Sequence, residues 1–282
     1  IGFFQACRLC KNLRPAAVVS FGGYPSLPTS LAAIVFRIPQ LIHEQNAVLG
    51  RANRLVSRRV ETIATSFAKV NGLPKKGGPK IVCTGNPVRG TIVSGAEKHY
   101  VAPSESDCLN LLVFGGSQGS AFLNKSMEKI VNRFNGIPVQ VLWQTGDKEY
   151  NNYKKYMSGS IKVTPFINDM ASAYKLSDLV VCRSGALTLS EVTACGKPSI
   201  LIPFAAAAGN HQLKNAKTLY QTGASILIEE KNLNSDSLFK KINHLVNNKV
   251  KLDEMSSISK TLGKPNATKK IVDHIMEISS NV

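Results

Sequence analysis

The chain has no apolar run long enough to span a membrane. The nearest, LPTSLAAIVFRIPQLI from Leu27 to Ile42, is broken by Pro28, Arg37 and Pro39, which excludes a transmembrane helix there and predicts a soluble or peripheral protein. There is no initiator methionine, and the opening IGFFQACRLCKNLRP has no basic segment before an apolar, cleavable one. This predicts no signal peptide, and a chain that starts inside a longer protein. Acidic residues are scarce: 18 Asp and Glu face 35 Lys and Arg, and residues 1–90 hold only 2 of those acids against 13 of the bases. Such a basic surface can serve nucleic acid, anionic lipid or phosphorylated substrates, or solubility alone. No RNA- or DNA-binding motif surrounds the nearby aromatics Phe3, Phe4, Phe21, Tyr24 and Phe36, so no nucleic-acid partner is expected. The six cysteines are scattered. Cys7 and Cys10 form one Cys-x-x-Cys with no second pair at metal spacing, which argues against a zinc ribbon and fits a reducing cytoplasm.

What is present is ample core material. At 282 residues with 43% hydrophobic and 19% charged composition, the chain can build two domains. Short β-branched runs alternate with longer amphipathic ones, the signature of a doubly wound α/β protein. AAVVSF, QLIHE, ETIATSF and KIVCTG read as strands of a first, incomplete unit; NLLVFGG, VQVLWQTG, KVTPF, DLVVCRSG, PSILIPF and ASILIE form a second series. Between them NPVRGTIVSGAEKHYVAPSESD has the composition of a linker. The expected domains are therefore 1–95 and 96–264, with a helix over 265–282 packing back toward the first. In open α/β sheets ligands bind beyond the carboxyl ends of the strands, so function is expected in a cleft between the two domains.

Several motifs sit at those strand ends. GGSQGSAFLN, Gly115 to Asn124, is a glycine turn opening a helix, which can bring backbone amides to a phosphate. It lacks the third glycine of Gly-x-Gly-x-x-Gly, which weakens a dinucleotide reading, and a tight structural turn explains it equally well. In VVCRSGALTLSEV, a buried strand turns at Arg183-Ser184-Gly185 into a helix near Ala186. Thr188 and Glu191 have capping-box spacing. With a helix start at Ala186, Glu191 instead falls in the second turn, where a carboxylate can accept both hydroxyls of a ribose. Both readings stand on local grounds. IHEQNAVLGRANR places His43, Glu44, Gln45 and Asn46 directly after a strand; GNPVRG places Arg89 just beyond another; NHQLKNA offers His211, Gln212 and Asn215.

Taken in order, FGGYPS, IHEQNAVLGRANRL, GNPVR, GGSQG, PFINDMASAY and CRSGALTLSEVTACGKPSILIPF closely resemble the peptidoglycan N-acetylglucosaminyltransferases, from about Arg14 to Ile228. The resemblance implies the glycosyltransferase B fold, two Rossmann-like domains facing a cleft, here with the first incomplete. It implies UDP-N-acetylglucosamine as donor and undecaprenyl-diphospho-muramoyl-pentapeptide as acceptor, glycosylated with inversion at the muramoyl C4 hydroxyl, on the cytoplasmic face of a bacterial membrane. By the same resemblance Glu191 binds the ribose hydroxyls and Ile167 meets uracil through its backbone. Ala186, Leu187, Thr188, Leu189 and Ser190 present amides to the donor, Ser117 and Arg89 contact the diphosphate, and Gln212 and Asn46 orient the sugar. No Asp-x-Asp motif is present, so no metal or other cofactor is expected; the resemblance favours as base the histidine of an N-terminal glycine-rich loop, and the candidates within this sequence are His43 and Glu44. Phe3, Phe4 and Ile34 with Arg8 and Arg37 are expected to rest on an anionic leaflet. The family's N-terminal GGTGGH-type loop has no counterpart, and FAAAAGNHQ replaces a segment usually richer in acids and histidine. Weak or no turnover in isolation is therefore expected. The alternatives are a UDP-sugar epimerase-like enzyme and a non-catalytic UDP-sugar-binding remnant.

Overall fold

The ten runs read as strands in the sequence form parallel strands; most are buried, as strands covered by helices on both faces must be, whereas Lys80–Cys83 lies largely exposed at a sheet edge. The computed structural model describes residues 1–75, 77–95, 103 and 107–280. The chain divides into two units, Ile1–Pro87 with Lys264–Val282, and Val88–Gly263. Of the linker at 86–107, residues 96–102 and 104–106 lie outside the described residues.

The first unit carries β1 (Val18–Ser20), β2 (Gln40–Glu44), β3 (Thr62–Thr65) and β4 (Lys80–Cys83) as a four-stranded sheet in that order. Helix α1 (Gly2–Leu13) precedes β1, α2 (Leu27–Val35) connects β1 to β2, and α3 (Arg51–Val56) lies between β2 and β3. Alternation along β2 sends Leu41 and Ile42 to opposite faces. Ile42 and Ile63 pack with Val56, Leu27 and Leu31 on one side, and Leu41 and Ala64 form a second cluster on the other.

The second unit begins with α4 (Gly90–Gly95) and continues β5 (Leu109–Phe114), α5 (Ala121–Glu128), β6 (Val139–Gln144), α6 (Tyr150–Tyr153), β7 (Ile161–Thr164), α7 (Met170–Leu176), β8 (Leu179–Cys182), α8 (Ala186–Ala194), β9 (Ser199–Leu201), α9 (His211–Tyr220), β10 (Ser225–Leu227), α10 (Ser235–Val246) and α11 (Lys249–Leu262). Its six strands run β10-β9-β8-β5-β6-β7, all parallel. Chain order reverses at β5, so the switch point lies between β5 and β8. The core is built on Leu111, Val113, Val141, Trp143, Val181 and Ile200, all buried.

The chain then returns to the first unit as α12 (Ala267–Ser279). Ile271 and Ile278 join Leu41 and Ala64, and Lys80 pairs with Glu277 at 2.6 Å. Among the described residues, no helix is long and apolar enough to cross a membrane.

Candidate active site

The six strands of the second unit end in one row. Register places Leu227 beside Leu201, Leu201 beside Cys182, Cys182 beside Phe114, Phe114 beside Gln144 and Gln144 beside Thr164. The turns that follow therefore leave the sheet at one level. Those after β5 and β8 flank the switch point.

The turn after β5 crosses the one after β6 so closely that a Cβ on Gly119, whose φ is +74°, would collide with the Thr145 carbonyl. Only glycine fits there. Ser117 stands exposed on this turn, and Ser120 caps α5 by accepting from the Leu123 amide at 3.3 Å. Ser120 Oγ also accepts from the Arg183 guanidinium at 2.8 Å. Arg183 is buried, donates to the Ile202 carbonyl at 3.1 Å and pairs with Glu230 at 2.6 Å. Glu230 accepts in turn from the Ala205 amide, and Gln212 Oε1 accepts from the Phe204 amide, both at 3.0 Å. Gly115, Gly119, Ser120, Arg183, Gln212 and Glu230 line a cavity of 460 Å³.

Helix α8 begins at Ala186 with Gly185 at its N-cap and no capping side chain. Thr188 and Glu191 thus form no capping box, and Glu191 lies in the second turn. Only the first-turn amides of a helix lack internal partners, so Ala186, Leu187 and Thr188 can present N–H groups to a ligand. Leu189 cannot: its amide donates to the Gly185 carbonyl at 3.0 Å and its side chain is buried. Helical geometry places the Ser190 amide on Ala186, whose carbonyl also receives the Ser190 hydroxyl at 2.9 Å. The amide-donor role expected of these two residues is corrected accordingly.

Each oxygen of Glu191 has a partner within this unit: Tyr174 Oη donates to one at 3.1 Å, and Arg89 stands 3.4 Å from the other. Burial raises the Glu191 pKa, and the Tyr174 hydrogen bond and the Arg89 charge oppose that rise. Tyr174 is fully buried and its pKa is pushed well up, by burial and then by the Glu191 charge, so it remains a donor. The contact that Arg89 makes is with the carboxylate expected at the ribose. The Ile167 amide donates to Gln144 Oε1 at 2.9 Å, so uracil can use that N–H only if Gln144 yields it.

In the first unit Glu44 is buried and accepts from four donors: the amide (3.0 Å) and Nδ2 (3.4 Å) of Asn46, the Gly50 amide (2.9 Å) and Asn53 Nδ2 (2.9 Å). It organises the loop that carries Asn46. His43 is fully buried, with Nε2 2.9 Å from the Gly85 carbonyl and its ring 5.3 Å from that of Phe21. A carbonyl can only accept, so Nε2 carries the proton and the lone pair sits on Nδ1. Burial lowers the pKa of His43, leaving the ring neutral.

Tyr174, Gln144, Ser120 and Glu230 were not expected at the site. The signal for Gln144 was present: a polar side chain ending the apolar run VQVLWQ at a strand's carboxyl end. Glu230 and Ser120 have no such signal, since each acts through the distant Arg183.

Residues 110–271 match the glycosyltransferase family 28 C-terminal domain, and residues 1–65 match the family's N-terminal domain. The chain belongs to glycosyltransferase family 28. Family members similar to it include the UDP-N-acetylglucosamine–N-acetylmuramyl-(pentapeptide) pyrophosphoryl-undecaprenol N-acetylglucosamine transferase of Methylorubrum populi, 39% identical over 267 residues, covering 92% of this chain and 72% of that protein. The Acetivibrio thermocellus protein of the same name is 36% identical over 289 residues, covering 99% and 78%. The crystal structure of Acinetobacter baumannii MurG superposes with a TM-score of 0.81 at 32% identity, over 98% of this chain and 77% of that one. A UDP-GlcNAc 2-epimerase from Neisseria meningitidis superposes at 0.68 with 15% identity, over 98% and 80%, a likeness of fold alone.

The family-28 site makes a sign-specific stability prediction. A carboxyl whose folded pKa is raised contributes stability below its unfolded pKa and loses it as pH rises through the folded value. Glu191→Gln keeps an acceptor for Tyr174 and carries no charge to bury. The variant is expected to unfold at a higher temperature than the wild type at about pH 8, with the difference shrinking as pH falls toward the ordinary Glu value of about 4.3. Thermal unfolding across that range checks it; a variant less stable at alkaline pH contradicts it.

Proposed function

We propose that this glycosyltransferase moves N-acetylglucosamine from UDP-N-acetylglucosamine, with inversion, to the muramoyl C4 hydroxyl of undecaprenyl-diphospho-muramoyl-pentapeptide in peptidoglycan synthesis. The observation that carries the reading is the row of strand ends in the second unit. It sets the glycine turn, the N-terminus of α8, Ile167 and Glu191 around the switch point, an inventory suited to a diphosphate, a base and a ribose. The relatives named above, whose names specify this transfer, support it.

In the reaction the acceptor oxygen bonds to the anomeric carbon as the bond from that carbon to the β-phosphate oxygen breaks. Negative charge grows on the departing UDP. The N-termini of α5 and α8, with the Ser117 turn, stabilise it through amide dipoles already aimed at it. Glu191 receives the ribose hydroxyls, and Arg89, beside it, reaches the diphosphate. Gln212 orients the sugar. The second unit takes the donor and the first the acceptor, with α12 completing the first.

The attacking hydroxyl must lose a proton. Of the two bases expected from sequence, Glu44 is committed to four donors and positions the Asn46 loop. His43 has its lone pair on Nδ1 and stays neutral, and it takes the proton. Nδ1 is buried and has no hydrogen-bond partner of its own.

The outer face of α1 exposes Phe4, Leu9 and Leu13 beside Arg8 and Lys11, and α2 ends on exposed Val35, Phe36 and Arg37. This surface rests on an anionic cytoplasmic leaflet as a peripheral contact, each base near the surface contributing about 1 kcal/mol. Phe3 and Ile34, expected there, are instead partly buried against the cores beneath α1 and α2.

Calorimetric titration with UDP-N-acetylglucosamine is expected to show binding that Glu191→Ala weakens by at least about tenfold, as loss of two charge-assisted hydrogen bonds requires; wild-type protein that ignores the nucleotide sugar refutes the reading. His43→Gln keeps a donor for Gly85 and removes the base. Its kcat with the lipid acceptor should fall by about a hundredfold or more at unchanged donor KM, and a variant with normal kcat moves the base elsewhere. Flotation with liposomes should require anionic lipid, and flotation on neutral liposomes alone contradicts the charged contact.

A further inference from the structure

Gln144 is the last residue of β6, almost fully buried, and both ends of its amide are used. Nε2 donates to the Gly116 carbonyl at 2.9 Å, and Oε1 accepts from the Ile167 amide at 2.9 Å. One side chain thus ties the glycine turn after β5 to the loop after β7. Its own backbone is pinned on both sides by α5. The Trp143 indole donates to Asn124 Oδ1 at 3.0 Å, and Asn124 Nδ2 donates to the Thr145 carbonyl at 2.8 Å.

The Gly116 carbonyl also accepts from the Gly119 amide at 3.0 Å. With two donors on it, the plane of the peptide between Gly116 and Ser117 is set. In a trans peptide C=O and N–H point in opposite directions, so the Ser117 amide is aimed away from Gln144. At the other end, the Ile167 amide fixes the peptide that follows Phe166, whose carbonyl accepts from Thr164 Oγ1 at 2.9 Å. The length of one glutamine therefore gauges the separation between the turn expected to hold a diphosphate and the loop expected to hold a base.

We propose that Gln144 is a positioning residue that couples nucleobase recognition at Ile167 to diphosphate recognition at the Gly115–Ser120 turn. The inference deepens the UDP-sugar reading and rests on it. A uracil that engages the Ile167 loop moves the acceptor of Gln144, and its donor end carries that movement to the peptide that aims Ser117. Neither half is set independently, so the site is sized for a nucleoside diphosphate rather than for its parts.

The test exploits what each replacement can and cannot donate. Gln144→Glu keeps an acceptor for Ile167, but its carboxylate cannot donate to Gly116 and repels that carbonyl. Once protonated, the same group donates O–H to Gly116 and accepts from Ile167, reproducing the glutamine. Burial raises a carboxyl's pKa, which brings this rescue into an accessible range. Binding of UDP is measured by calorimetry on the whole chain, as a ratio to wild type at the same pH. That ratio cancels any titration of Glu191 and of Tyr174, Cys182 and Cys195 around it, with Arg89 beside them in both proteins. The expected ratio for Gln144→Glu is a loss of about tenfold at about pH 8, recovering to within about threefold near pH 5.5. Gln144→Leu, which can do neither, should lose about as much at both. Fluorescence of Trp143, the single tryptophan of the chain, and the thermal midpoint report whether each variant is folded. A Gln144→Glu ratio near one at about pH 8, or a loss that does not change with pH, overturns the proposal. Wild-type protein that fails to bind UDP defeats the UDP-sugar reading and this inference with it; wild-type binding with an indifferent variant defeats this inference alone.

Discussion

The register of the six-stranded sheet is the constraint on which the rest of the second unit depends. Cys182 lies beside Phe114 and Phe114 beside Gln144, so that the glycine turn, the Arg-Ser-Gly turn and the pinned Thr145 all begin from one edge. A slip of one residue on any strand would carry its turn by about 3.3 Å and reverse every side chain on that strand. The crossing of Gly119 over the Thr145 carbonyl and the span of Gln144 both tolerate far less than that. The apolar packing of Val113, Val141, Trp143 and Val181 thus does more than hold the sheet together. It holds a ruler against which the loops are measured.

Charge is arranged with the same economy. Arg183, which reaches the glycine turn at Ser120, is neutralised by Glu230 and held by Ser120 and Ile202. A buried ion pair of this kind contributes little net stability, because desolvation offsets attraction, but losing either partner is costly. Its effect is geometric: three strand-end segments, through Ser120, Ile202 and Glu230, are fastened to one guanidinium. In the proposed reaction, attraction for the diphosphate is then left to helix N-termini and Arg89, and the helix dipoles need no reorganisation when charge appears. Glu191 sits one layer away, with Tyr174 and Arg89 opposing the burial that would otherwise favour its neutral form.

Much of this was legible in the residues. Among the described residues all ten strands appear where the sequence predicts them, most of them because parallel strands buried on both faces must be apolar throughout; β4 is an exposed edge strand. The turn at Arg183 to Gly185 and the helix beginning at Ala186 were also readable, and of the two local readings of Glu191 the structure removes the capping box, because nothing caps α8 from a side chain. What the chain could not reveal is set by distance along it. Glu230 is 47 positions from Arg183 in sequence numbering, and Gln144 is bonded to Gly116 and Ile167 across two connections. The same limit explains Leu189 and Ser190, whose amides a motif offers to a ligand and a helix takes for itself. Phe3 and Ile34 illustrate the converse, as apolar residues in a basic stretch read as surface until their packing partners are known.

A crystal structure of the protein with UDP-N-acetylglucosamine bound tests the central claim most directly. Both ribose hydroxyls should lie within hydrogen-bonding distance of Glu191, with uracil at the Ile167 loop and the diphosphate against the Gly116–Ser120 turn and the first amides of α8. Nucleotide bound anywhere other than at the carboxyl edge between β5 and β8, or with its ribose turned away from Glu191, would contradict the account.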